Sequence, residues 1–413
     1  MSVLAPLAAA VPPPLYAEVA SLTVPPEFAV IVAAVVRLAG RVALESRETT
    51  VERRFAARGP NVRMPIGLLV MCLVLVVIVS LTAHGARQGS ITDVLTVLVE
   101  LVSCALVYKL AADLDVFDFA RWRGAWTLIV VLAVSLGLME RGRGTYLLPA
   151  GQGIFHPGYR DGVVRAQAFF PHPIVFGVSV AAITLMWLLD RTTTKVRILV
   201  GAAGILGLLL SDSRGPLAAS VIAIAAATAF RFVPKNVPRS AISLALGGLA
   251  VAVSIYFSSL PSVYVGGANE SEASSQYRIA LIQVGSQVVS ANPFGLGPGA
   301  LPPGLLLVDS VYGVLDLAHS VDNTYLIVAL QYGLIGLGLV IIVAVSIARR
   351  ATLRRFYGAE PRLALFAVLV LFAAEGFSVS EFSWVSLTAI LGAVCGLLCS
   401  QRISTGSTMV ARV

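Results

Sequence analysis

The sequence predicts an all-α, polytopic membrane bundle with a large helix-containing loop outside the bilayer. Three observations carry this expectation. The 413 residues are 57% hydrophobic, with a mean hydropathy of +0.88. Only 13% are charged, against about a quarter in a typical soluble domain. The apolar residues gather in runs of roughly 18 or more, the length a helix needs to cross a bilayer.

Taken in order, the runs fall near 26–44, 64–82, 92–111, 124–140, 173–189, 197–211, 215–233, 240–260, 322–347, 362–379 and 384–400. This gives about eleven spans in a single membrane domain over 1–413, with ten to twelve compatible with the same pattern. Arg37 and Arg41 interrupt the first run. The stretch before it contains "PPP" at 12–14 and has no basic start, so it reads neither as a span nor as a signal peptide. Cys72, Cys104, Cys395 and Cys399 all lie inside spans, where thiols act as small apolar fillers. They form neither a disulfide framework nor a metal spacing.

Lys and Arg fix the expected orientation. With the spans alternating, most of the 30 basic residues fall in one set of loops. The opposite set holds only Arg87, Arg141, Arg143, Arg160, Arg165, Arg214 and Arg278. The positive-inside rule places the rich set, and the C-terminus, in the cytoplasm. The net charge of +8 is then a basic inner rim facing anionic lipid, and no nucleic-acid partner is needed to explain it.

Two long loops fall on the outer face, at 141–172 and 261–321. Long loops in compact proteins are commonly functional. Within the second, Tyr277, Leu281, Val284 and Val288 recur at helical spacing, and "ANPFGLGPGALPPG" stops that helix with Pro and Gly. The outer polar residues are few. Arg214 lies in the turn "SDSRG" between two spans, where it either anchors a helix end by snorkelling or binds an anion. Arg165 precedes the span at 173, and Arg278 opens the loop helix. Arginines keep their charge and grip phosphate with two bonds. Several at one surface suit a diphosphate whose charge grows as its bond breaks. No Asp-x-Asp carboxylate pair is available on that face to hold Mg²⁺, so no metal and no cofactor are expected.

His319, Asp322 and Asn323 sit where the large loop enters a span. If that helix begins early, His319 and Asp322 share a face, and either could take a proton from a sugar hydroxyl. The alternative for Asp322 is an N-cap. Glu100 and Glu375 lie inside spans, where ionisable residues are costly and point to function or to pairing. His172, Asn323, Tyr325 and Glu375 are the further candidates to line a substrate cavity.

Four stretches in order resemble the O-antigen ligase and O-antigen polymerase superfamily: "RAQAFFPHPIVFG", "LLLSDSRGPLAAS", "YRIALIQVGSQVVSANPFGLGPG" and "DNTYLIVALQYGLIG". Together they cover roughly residues 160–345. The resemblance implies a fold similar to that of membrane glycosyltransferases that use polyprenyl-phosphate sugars. Such an enzyme sits in the cytoplasmic membrane and works on its outer face, without a metal. It moves a glycan from a polyprenyl diphosphate-linked oligosaccharide to a glycan or lipid acceptor. Carried over, Arg214 and Arg278 hold the diphosphate and Arg165 assists. Ligases of the family have His directly before the Asn at the loop–span junction. Here that position is Asp322, which leaves the base open between Asp322 and His319 and leans toward a polymerase. A ligase is the nearest alternative. A transporter or flippase would place its polar residues at mid-membrane on broken helices.

Overall fold

The computed structural model describes residues 17–19, 22–24, 108, 119–147, 159–160, 163–189, 194–232, 270–297, 301–310, 313–319, 321–353, 360–377 and 385–399. Tyr108 apart, the expected spans at 26–44, 64–82, 92–111 and 240–260 lie outside them, as do Glu100, His84, His156, Cys72 and Cys104.

The described residues are mostly helical. The helices are α1 (Phe119–Arg143), α2 (Pro173–Leu188), α3 (Thr194–Ser211), α4 (Arg214–Phe232), α5 (Glu270–Ala291), α6 (Thr324–Leu353), α7 (Glu360–Glu375) and α8 (Val385–Cys399). Three short antiparallel hairpins, which the hydropathy pattern does not predict, pair β1 (Ala17–Val19) with β2 (Leu22–Val24), β3 (Tyr159–Arg160) with β4 (Val163–Val164), and β5 (Leu307–Ser310) with β6 (Gly313–Asp316).

Two cores organise the described residues. In the first, α2 is central: nearly every side chain from Pro173 to Met186 is buried. It is wrapped by α1, α3, α4, α7 and α8. A helix apolar on all sides belongs inside such a bundle. Close approach of α3 depends on a run of small residues. A Cβ on Gly204 would collide with Thr184, and one on Gly207 would come within 2.9 Å of Val180 and 3.0 Å of Val134. The outward faces of α1, α3 and α4 present Leu128, Leu199, Ile205, Leu209 and Val221 without cover, Leu199 at 71% exposure. Exposed aliphatics at this density are costly in water and suit hydrocarbon. Among the described residues, three helices, Arg121–Arg143, Thr194–Ser211 and Thr324–Ser346, are long and apolar enough to cross a membrane.

The second core belongs to the large loop. Ala280, Leu281 and Val289 of α5 pack with Leu306, Leu317, Val321 and Leu330, and Tyr277, Val284 and Val288 lie against them. The helical face predicted for this loop is therefore the face that α5 buries. The last expected difference concerns α6. The apolar run at 322–347 reads as one uninterrupted span, yet its backbone leaves the helix at Gly333 (φ 69°, ψ −171°).

Candidate functional site

The candidate site gathers where α2, α4 and α6 begin and α1, α3 and α7 end. Its first wall is the segment 163–172, stretched across the ends of α1 and α3. Glu140, near the end of α1, is completely buried. Its Oε2 accepts the backbone N–H groups of Gln167 (3.1 Å) and Ala168 (2.9 Å), and its Oε1 accepts that of Leu147 (3.4 Å). These bonds hold Ala168 at φ 54°, a left-handed conformation rare for alanine. Arg141 Nη1 donates to the Val164 carbonyl, Tyr146 Oη donates to that of Arg165, and the Ala166 amide donates to Leu210. A backbone this thoroughly tied leaves Arg165 little freedom.

The Arg165 guanidinium is itself buried. Nη2 donates to Ser213 Oγ at 2.8 Å and Nε to the Ser211 carbonyl at 3.4 Å. The turn that receives it is the "SDSRG" stretch, with Asp212 at φ 45°. Arg214 follows as the first residue of α4 and is exposed. Pro216 lies against Gly177, where an added Cβ would approach to 3.0 Å. Arg214 thus shares the end of the bundle at which α2 begins.

His172 caps α2. Its Nδ1 accepts the Ile174 N–H at 3.1 Å, with Pro173 in the first helical position where a missing N–H costs nothing. Burial, and then the positive charges of Arg165 and Arg278, push the imidazole down from 6.5 to about 3. With Nδ1 accepting and the ring neutral, the remaining proton sits on Nε2. The field at His172 also locates Arg278: α5 brings that guanidinium within electrostatic reach of a residue more than a hundred positions earlier.

The second wall is the start of α6. The N-cap is Asn323, whose Oδ1 accepts the Leu326 amide at 2.9 Å. Its Nδ2 donates to the Phe377 carbonyl at 3.3 Å, and the Thr324 amide donates to Gly376 at 2.7 Å. Tyr325 Oη donates to the Ala373 carbonyl at 2.6 Å, and its ring lies 4.7 Å from that of Phe377. Glu375 is buried at the end of α7. Two expectations change here. Asp322 is not the cap. It also shares no helix with His319, which closes the 3₁₀ turn Leu317–His319 while α6 begins at Thr324. Asp322 keeps partial exposure. Burial pushes its carboxyl above the usual range and the Arg278 charge pulls it back.

Arg165 and Arg278 thus lie within electrostatic reach of His172, and Arg278 within reach of Asp322. Glu140, which anchors the segment that carries Arg165, has no signal in the sequence, where it only ends an apolar run; Ser213, which accepts from Arg165, lies in the "SDSRG" turn that the sequence marks without giving the serine a role. Among the described residues, no group of three His, Cys, Asp or Glu side chains is disposed to hold a metal ion.

A family model described as O-antigen ligase matches residues 198–341. No curated protein matches the chain. The matched stretch runs from α3 into α6, so it includes Arg214, Arg278, His319, Asp322 and Asn323 but not Arg165 or His172. The match supports a membrane enzyme of O-antigen or related polysaccharide assembly. Over residues 198–341 this integral membrane protein is similar to the O-antigen ligase family, consistent with the O-antigen ligase and polymerase superfamily.

Proposed function

We propose that the protein is a glycosyltransferase that moves a glycan from a polyprenyl diphosphate carrier to an acceptor hydroxyl, and that it polymerises repeat units of a surface polysaccharide. The observation that carries this reading is the convergence of Arg278 with Asp322 on one side and His172 on the other. A fixed cation beside a carboxylate of raised basicity provides both ends of a displacement.

In this reading the acceptor hydroxyl attacks the anomeric carbon and its proton passes to the Asp322 carboxylate. The bond between that carbon and the diphosphate oxygen breaks, and the electron pair leaves on the diphosphate. Arg278 faces the growing charge, with Arg214 at the lip of α4 and the neutral His172 Nε2–H as a further donor. Arg165, bonded to Ser213 and Ser211, acts as a fixed positive charge behind them. His319 is the second candidate base. The carrier is expected at the outer face of the cytoplasmic membrane, where the loops 141–172 and 261–321 would form the site, with no metal required.

The family description favours a ligase as the second reading, since it names that activity. Asp322 in the place of the ligase histidine favours the polymerase. A transporter is less well supported. α6 is broken at Gly333, but Arg165, His172, Arg278 and Asp322 lie at helix ends or on the loop helix. The test is incubation of the purified protein with a polyprenyl diphosphate oligosaccharide, followed by product sizing. A ladder of repeats supports polymerisation, and one transferred chain supports ligation. Full turnover by both Arg278→Gln and Asp322→Asn would overturn the reading.

A further inference from the structure

The break in α6 is filled by the segment that ends α5. Leu296 N donates to the Leu330 carbonyl at 2.7 Å, and Gly297 N donates to that of Gln331 at 3.0 Å. In return Leu334 N donates to the Pro293 carbonyl at 2.9 Å. These are carbonyls and an amide that an unbroken helix would pair internally. The two backbones meet so closely that no side chain fits between them. A Cβ on Gly295 would strike the Gln331 carbonyl and the Gly333 nitrogen, and one on Gly333 would strike Pro293 and Phe294. Both glycines also hold positive φ, 84° and 69°. Each glycine is thus required twice, by conformation and by contact.

The connection to α5 has no slack. Asn292 closes α5, its amide and Nδ2 both donating to the Val288 carbonyl, and Gly295 N donates to the Asn292 carbonyl. From this junction α5 and the first part of α6 run side by side. Halfway along, a Cβ on Gly285 would come within 2.7 Å of Leu326. Arg278 and Asp322 stand at the other end of the pair. The arm from Ala291 back to Arg278 is about 20 Å at 1.5 Å per helical residue, so a small tilt at the junction becomes an ångström-scale shift at the guanidinium.

We propose that Gly295 and Gly333 weld α5 to α6 and thereby set the separation of Arg278 from Asp322, which makes them positioning residues for the transfer reaction. The weld itself does not depend on the enzymatic reading; its consequence for turnover rests on it.

The experiment therefore has two readouts. Spin labels carried by unnatural amino acids at Gln287 and Ile342, both exposed, report the spacing of α5 from the lower part of α6 in the full chain. The variants are Gly333→Ala and, as a control for failed membrane insertion of that clashing change, a single glycine inserted between Ala291 and Asn292, which adds slack without any clash. The expected result is a broadened distance distribution, with kcat down about 10²-fold, the loss typical of such misplacement, and donor KM within a few-fold of wild type. An unchanged distribution in the insertion variant overturns the weld. A broadened distribution with wild-type kcat overturns the positioning role. Retained turnover in Asp322→Asn and Arg278→Gln would instead remove the enzymatic reading and leave the distance result standing.

Discussion

Asn323 accepts the Leu326 amide at 2.9 Å and so performs the capping that its neighbour Asp322 would otherwise provide. Two adjacent residues, both suited to open a helix, divide the work. One secures α6 and also reaches the Phe377 carbonyl of the chain leaving α7. The other is left beside Arg278 with a carboxyl that burial makes more basic.

Asp322→Asn is expected to lower turnover by about 10²–10⁴-fold, the usual contribution of a positioned base, with thermal stability close to wild type. Asn323→Ala is expected to show the reverse pattern, losing about 1 kcal/mol of stability as an N-cap while retaining measurable turnover. Side-by-side melting curves and transfer assays distinguish the two roles.

The pH profile follows from the same pair. A carboxyl raised above its ordinary value near 3.9 must ionise before it can accept a proton, so the acidic limb of turnover should lie above that value. Arg278 opposes the rise. Arg278→Gln should therefore move the limb further toward neutral pH, as well as weakening the donor. A limb unchanged in position would dissociate Asp322 from the rate.

His172 provides a stability test. Its folded pKa is depressed to about 3, while the unfolded side chain titrates near 6.5. The unfolded state then binds a proton that the folded state refuses. The contribution of His172 is fully present above 6.5 and is lost progressively as the pH falls toward 3. His172→Asn keeps a capping side chain and removes the titration. The melting temperature of this variant should fall less steeply with acidification than that of wild type.

Glu140→Ala would leave the amides of Gln167 and Ala168 buried and unmatched. At about 1–3 kcal/mol for each such group, a loss of about 3 kcal/mol or more is expected in unfolding measurements. Turnover should fall as well, because the segment carrying Arg165 and His172 is no longer held to α1.

The helix limits were legible because they depend on unbroken apolar runs: 173–189 became Pro173–Leu188 and 215–233 became Arg214–Phe232. The α5 face was legible because Tyr277, Leu281, Val284 and Val288 repeat at the period of a helix. What escaped depends on partners distant in sequence. Glu140 serves amides 27 and 28 residues away, and nothing around it announces them. The break in α6 is hidden within "QYGLIGLG", where the first glycine looks no different from the next two. Only the arrival of Pro293 and Gly295 distinguishes it. Adjacent Asp and Asn at the α6 entrance could not be assigned by residue type, since both cap equally well.

The glycines along α3 extend the site into the hydrocarbon. Gly204 stands two turns below Ser211, and its lack of a side chain lets α3 lean onto Thr184. Ser211 and Ser213, at the top of that helix, cradle Arg165. A methyl group added at this buried contact between α3 and α2 would lever the helix outward and lift the cradle with it. Genetic lesions that look like mere greasy-core defects can in this way silence chemistry some ten ångströms above them.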